Sequence, residues 1–414
     1  MSEDCLYLNV YAPITPGPHP VIFWMHGGAL FLGQSDDYDP TWLVAKDVVV
    51  VTINYRLGAL GYMAHPALSA EQGGASGNYG LMDQQFALHW VQDNIAAFGG
   101  DPGNVTIAGE SAGGFSVHMQ LIALGSQGLF HKAIVESGAY GNNPNIQPTL
   151  QAAEQTGAAL MGSIGCTDAC TPDALRALSL DAILTAQKPV TNWIAPVDTK
   201  VLTSSLADAF LAGNFQKVPV IEGSNHDEYR LFVAQGELQN GAPLSAAAYP
   251  LVLNSLFGPQ LGPVLANVYA PANYPSPSLA LSAAGTDVIF ACAGRTAAKE
   301  LSAFNPPNTV FAFEFADEAS AMLLLPAVSF PYGAAHTNEL QFLWILPAGN
   351  LVPEEQVLSE IMISYWTNFA KTGDPNGPGL PTWPAYGLTA DNYLSLSPDA
   401  IRVTNTFQLD HKCR

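Results

Sequence analysis

The stretch GESAGG, Gly109 to Gly114, sets a single serine among three glycines and an alanine. The run before it, NVTIAG (Asn104 to Gly109), is apolar and β-branched, and the run after it, GGFSVHMQLIAL, can turn as a helix. Ser111 is therefore predicted on a sharp strand-to-helix turn. Such a turn is strained, small neighbours relieve its crowding, and the hydroxyl is left exposed at the carboxyl end of a strand. The pattern G-x-S-x-G suits a serine nucleophile; a glycine-rich turn or anion loop is the competing reading. It is not G-x-G-x-x-G, which argues against a dinucleotide fingerprint. A nucleophile also needs a base, an acid and donors for a developing oxyanion.

The expected chain order is serine, then acid, then histidine, each on a loop after a strand. Of the nine histidines, His226, His336 and His411 follow the first plausible acid loop, and His411 is close to the end of the chain. His336 lies in YGAAHTNELQF, a small-residue loop after the strand-like Thr309 to Phe315, and is the candidate base. For the acid, VPVIEGSNHDEYRLF offers Asp227 and Glu228 after a buried strand, and Asp317 and Glu318 after FAFEF are the rivals. In PVIFWMHGGALFLG (Pro20 to Gly33) a strand runs into His-Gly-Gly-Ala, a loop type that presents backbone N–H groups to an oxyanion.

The elements that must position these groups alternate. Strand-like runs lie at Pro20–Met25, Asp47–Asn54, Asn104–Gly109, Lys132–Ser137, Val218–Gly223 and Thr309–Phe315, most of them continuously apolar as buried parallel strands are. Gly80 to Phe98 places Leu81, Phe86, Leu88, Val91, Ile95 and Phe98 at near-helical spacing before GGDPGN stops it. This implies a doubly wound α/β sheet. The stretches of roughly 140–217 and 235–308 are read as mostly helical insertions over the sheet's carboxyl edge, within one domain spanning 1–414. At 414 residues, 48% hydrophobic and 12% charged, the chain can bury a large core. A formal charge of −21 repels nucleic acid and anionic lipid. No apolar run reaches the ~20 residues that span a bilayer. The N-terminus lacks signal-peptide features, so a complete chain is expected in the cytoplasm and one whose leader was removed is expected outside the cell. No Cys or His spacing forms a metal motif; CTDAC (Cys166, Cys170) has no second pair nearby.

Three stretches, EDCLYLNVYAP (Glu3 to Pro13), Gly77 to Gly114 and YWTNFAKTGDPN (Tyr365 to Asn376), closely resemble the type-B carboxylesterase family, which includes cholinesterases and some lipases. The resemblance runs from about residue 3 to the C-terminus and implies the α/β-hydrolase fold. It implies Ser111 as nucleophile, His336 as general base and Glu228 as acid, because the family's glutamate is the second residue of its DEG; here Tyr229 replaces that glycine. It maps the oxyanion donors onto the N–H groups of Gly28, Ala29 and Ala112. It matches Glu110 to an acidic residue lining the site, a structural role remaining open. Family members carry edge strands before EDCLYLN, here expected to be absent with the disulfide partner of Cys5. The resemblance pairs Cys166 with Cys170 and Cys292 with Cys413; four reduced thiols are the alternative. SGAYGNNPN, in the acyl-pocket region, has no tryptophan, which argues against a cholinesterase. The expectation is a serine carboxylesterase that hydrolyses uncharged esters through an acyl-enzyme, without cofactor or metal. Its GGAL loop, Gly27 to Leu30, resembles a type that admits esters of tertiary alcohols. The alternatives are a lipase, for which ASAMLLLPAVSF (Ala319 to Phe330) could line an apolar pocket, and a binding or adhesion homologue. Acyl preference and oligomeric state are not legible.

Overall fold

The computed structural model describes residues 2–142, 146–167, 170–188, 190 and 193–413. Part of the SGAYGNNPN stretch, residues 143–145, lies outside them. The described residues form one sheet of nine strands: β1 (Leu8–Tyr11), β2 (His19–Met25), β3 (Val49–Ile53), β4 (Gly100–Glu110), β5 (Lys132–Glu136), β6 (Val220–Asn225), β7 (Val310–Phe315), β8 (Tyr393–Leu396) and β9 (Arg402–Thr404). Their order is β1-β3-β2-β4-β5-β6-β7-β8-β9. Strands β2 to β8 run parallel, and β1 and β9 close the edges antiparallel.

Every residue of β3, β5 and β7 is buried, as the continuous apolar runs require when helices cover both faces. Side chains alternate between two cores. Val21, Phe23 and Met25 of β2 enter one with the helices Tyr79–Asn94 and Ala112–Ile122, while Ile22 and Trp24 enter the other with helix Pro353–Thr372. All six strand-like runs are strands. The short β1, β8 and β9 were not legible, being too brief to show a pattern.

Helix Tyr79–Asn94 and the 3₁₀ turn Ile95–Phe98 cover the predicted segment, but with a different buried stripe. Leu81, Gln84, Leu88, Val91 and Ile95 face inward, whereas Phe86 is 76% exposed. A polar residue holds the inward place because Gln84 donates to Ser116 Oγ (3.0 Å) and accepts from Gln120 (2.9 Å). Helices Leu150–Gly162, Pro172–Arg176, Leu180–Ala186 and Leu206–Leu211 fill the first expected insertion. The second carries Tyr249–Val268, Pro277–Gly285 and Cys292–Phe304. The helical run Pro277–Phe304 is long and apolar enough to cross a membrane, and 61% of its most apolar window is buried inside the protein, as in a core helix. In Ala319 to Phe330, Phe330 is buried with the helices of that second insertion and Leu324 is exposed. Cys166–Cys170 and Cys292–Cys413 are disulfides, and Cys5 is free.

The chain fills the sheet outward from β2 in both directions, so strand order reverses between β2 and β4. Ligands of open α/β sheets bind at the carboxyl ends beside such a reversal. Met25, the last residue of β2, pairs there with Gly109 of β4.

Candidate active site

Ser111 follows β4 and caps helix Ala112–Ile122 with φ 55° and ψ −121°. A non-glycine residue in this region costs about 1–3 kcal/mol, so its surroundings must hold it. Its N–H donates to Glu136 O and its carbonyl accepts from Phe115 N, both at 2.8 Å. The glycines around it are required by close approach. A Cβ on Gly113 would stand 1.9 Å from Met25 O, and one on Gly109 2.4 Å from Gly113 C. The helix thus sits against the ends of β2 and β4 with no room for a methyl group, which is why the chain strips bulk from both sides of this hydroxyl.

His336 is buried. Its Nε2 lies 2.7 Å from Ser111 Oγ and its Nδ1 2.6 Å from Glu228 Oε2. Glu228 comes from the turn after β6, and its other oxygen accepts from Asn225 N at 2.8 Å. The rejected neighbour has its own task. Asp227 accepts from Ala334 N (3.1 Å) while its N–H donates to Ala334 O (2.9 Å), so it fixes the loop that delivers His336. Asp317 instead accepts from Ala319 N at 3.0 Å, and neither it nor Glu318 bonds His336. The structure brings Ser111, Glu228 and His336 together and leaves Asp227, Asp317 and Glu318 out.

Glu110 points at the same imidazole, with Oε1 3.2 Å from Nε2 and without a hydrogen bond of its own. Burial pushes its carboxyl up to about 7, with His336 opposing and Glu228 adding to the rise. Burial pulls His336 down, but Glu110 and Glu228 outweigh it and hold the ring at about 8. Two further buried carboxyls were missed from the sequence. Burial raises Glu136 to about 8 even though Trp366 Nε1 donates to it at 2.8 Å. Glu339 is raised well above the carboxylate range by burial and by Glu110, Glu136 and Glu228, and it accepts from Asn225 Nδ2.

The loop after β2 turns through Gly28 (φ 104°), Ala29 (φ 56°) and Leu30 (φ 56°). Gly28 O accepts from both Phe31 N (2.9 Å) and Leu32 N (3.0 Å). His26 stacks on Tyr55 at 4.4 Å, and burial lowers it to about 4, so a neutral ring buttresses the loop. A Cβ on Gly27 would meet Glu110 Oε2 at 2.7 Å and Ser111 Cβ at 3.2 Å, so the loop lies directly over the serine turn. The N–H groups of Gly28, Ala29 and Ala112 donate to no acceptor among the described residues. These are free donors beside a hydroxyl.

Aromatic residues wall the histidine. Phe290 and Phe232 hold their ring centroids 5.0 and 5.3 Å from that of His336, and Tyr140 adjoins Phe290 at 6.0 Å. Behind Phe232 lies a cavity of about 480 Å³ lined by Tyr229, Val233, Leu244, Val252 and Leu281. Tyr229, at the family's usual glycine, keeps a helical backbone (φ −78°) and packs its ring on Phe232.

The chain matches the carboxylesterase family over residues 1–413. It is 36% identical to a human cocaine esterase, covering 96% of this chain and 72% of that protein. It is 34% identical to a liver carboxylesterase from Sus scrofa, covering 95% and 73%. Among solved structures it resembles a PNB esterase with a TM-score of 0.82 and 32% identity, covering 99% of this chain and 85% of that one.

Proposed function

The chain belongs to the carboxylesterase family and is a carboxylic ester hydrolase, and from that premise we propose that it works as a serine esterase on uncharged carboxylic esters. The observation that carries this reading is the unbroken pair of hydrogen bonds, 2.6 and 2.7 Å, from Glu228 through His336 to Ser111. Ser111 Oγ attacks the ester carbonyl while its proton passes to His336 Nε2. The N–H groups of Gly28, Ala29 and Ala112 receive the oxyanion. His336 then returns the proton to the leaving alcohol, and the acyl group stays on Ser111. Water deprotonated by the same Nε2 releases the acid. Glu228 holds Nδ1–H and offsets the imidazolium charge.

The net charge of −21 disfavours anionic substrates. Gly28 O is taken up by Phe31 and Leu32 N, and a carbonyl so occupied favours room on the alcohol side, hence esters of tertiary alcohols. Ser111→Ala should cut hydrolysis of p-nitrophenyl acetate by about 10⁴-fold or more with the fold retained, and near-parental turnover refutes the assignment. Ala29→Val should lose more activity on tert-butyl acetate than on ethyl acetate; no turnover of tert-butyl acetate by the parent refutes that part alone. The cavity behind Phe232 favours a second reading, a preference for longer acyl chains, which an acyl-length series of p-nitrophenyl esters tests. The two disulfides support an oxidising compartment rather than the cytoplasm.

A further inference from the structure

Near the C-terminus, groups meet that the ester chemistry does not use. His411 is buried with a carboxylate at each ring nitrogen: Asp287 Oδ1 at 2.8 Å from Nδ1 and Glu314 Oε1 at 2.6 Å from Nε2. Facing it, His226 extends from the turn after β6, its ring centroid 5.5 Å from that of His411. One nitrogen of each histidine and one oxygen of Glu314 lie within 4.8 Å of one another. The His226 side chain is 38% exposed, which opens the group to solvent. Its Nδ1 has no hydrogen-bond partner; Asp227 is 3.4 Å away and is held by Arg230 at 2.7 Å.

We propose that His226, Glu314 and His411 form a binding site for a zinc-type divalent cation. Two imidazoles, one carboxylate and an open direction match the donor set that such ions take in tetrahedral geometry. The outer support is already built. His411 Nδ1–H donates to Asp287, whose second oxygen accepts from Tyr269 OH at 2.7 Å, and this directs Nε2 at the ion. The cation replaces the proton between Nε2 and Glu314. Ligands about 2.0–2.1 Å from a tetrahedral ion stand roughly 3.3 Å apart, so this pair opens by roughly 0.7 Å. Water fills the fourth direction, or Glu318, which forms an overlapping group with His226 and Asp227. The bound ion ties the turn that carries Glu228 to β7 and to the C-terminal segment, so its effect falls on stability.

The test titrates zinc chloride into the chelator-stripped protein against a chromophoric chelator at pH 8.0. One ion is expected to bind per chain, with the unfolding temperature raised by zinc. His226→Ala should weaken binding by about 30-fold or more, and His226→Cys, which supplies a thiolate at the same place, should restore it. The unfolding midpoints without zinc verify that the variants fold. Absence of a 1:1 complex at about 100 µM zinc, or His226→Ala binding as tightly as the parent, overturns the proposal.

Discussion

Glu110→Gln tests the electrostatics of the candidate site at one atom pair. The parent carboxylate stands 3.2 Å from His336 Nε2. Against burial, three influences lift the ring from its ordinary 6.5 to about 8: the charge of Glu110 first, then the charge of Glu228 and its hydrogen bond. Together they exceed that rise, and the largest of three supplies at least a third of it, so neutralising Glu110 should lower the histidine by about half a pH unit or more. The proposed base works only when neutral. At pH 7.5, where Glu110 is mainly ionised, a pKa of 8 leaves about 24% of the enzyme competent and a pKa of 7.5 about 50%, a gain of about twofold relative to the plateau. The assay is kcat/KM for p-nitrophenyl acetate from pH 5.5 to 9.5, which reports the free enzyme. The plateau itself should fall, because the imidazolium formed during reaction loses a counter-charge. Stability moves the other way. A carboxyl raised to about 7 from its ordinary 4.5 binds its proton more tightly when folded, so the protein loses stability as pH rises through that window, and the glutamine variant loses less, the raised Glu136 and Glu339 keeping their share. An acid limb that stays within about 0.2 pH unit of the parent's would refute the reasoning.

Glu228→Gln keeps the size of the acid but can present N–H to Nδ1, favouring the wrong tautomer; kcat should fall by about 10⁴-fold, and a worse loss in Asp317→Asn would move the acid to the other loop. Gly113→Ala drives a methyl group into Met25 O, 1.9 Å from the ideal Cβ, and should cost about 1–3 kcal/mol in urea unfolding; unchanged stability would mean that the turn is looser than described. Cys413→Ser opens a bridge spanning 121 positions and should cost on the order of 4–5 kcal/mol by chain entropy. Thiol titration of the denatured, unreduced parent should find one group, Cys5, and five groups would contradict both bridges.

The serine turn and the proposed oxyanion loop were legible because each is a local device, in which a strand ends and small residues let backbones touch within a few positions. Glu228 and His336 were legible mainly through chain order and resemblance, since a loop carboxylate and a loop histidine carry no spacing of their own. Phe232 and Phe290 were not legible. They reach His336 from separate segments, and nothing in a run such as TDVIFACAG says which of its apolar residues meets a histidine far along the chain. His226, Glu314 and His411 show the same limit, because donors delivered by a turn, a strand and the C-terminal segment make no motif. Phe86 was misread for the opposite reason. Its aromatic ring fitted a helical stripe that Gln84 occupies instead by satisfying its amide.

The reversal of strand order between β2 and β4 has a use in engineering. The oxyanion loop closes one strand and Ser111 follows the other, and between them the chain passes the exposed turn at Gly73 and Gly74, where a Cβ on Gly74 would meet nothing within 4 Å. Cutting there yields two pieces, the first with β1, β2, β3 and Ala29, the second with Ser111, Glu228 and His336. Neither piece holds a whole site, and the parallel pairing of β2 with β4 must re-form before an ester is turned over. Fused to two other proteins, the pieces would make hydrolysis of a chromogenic ester a readout of whether those proteins meet, and colour from either piece alone would show that the division fails.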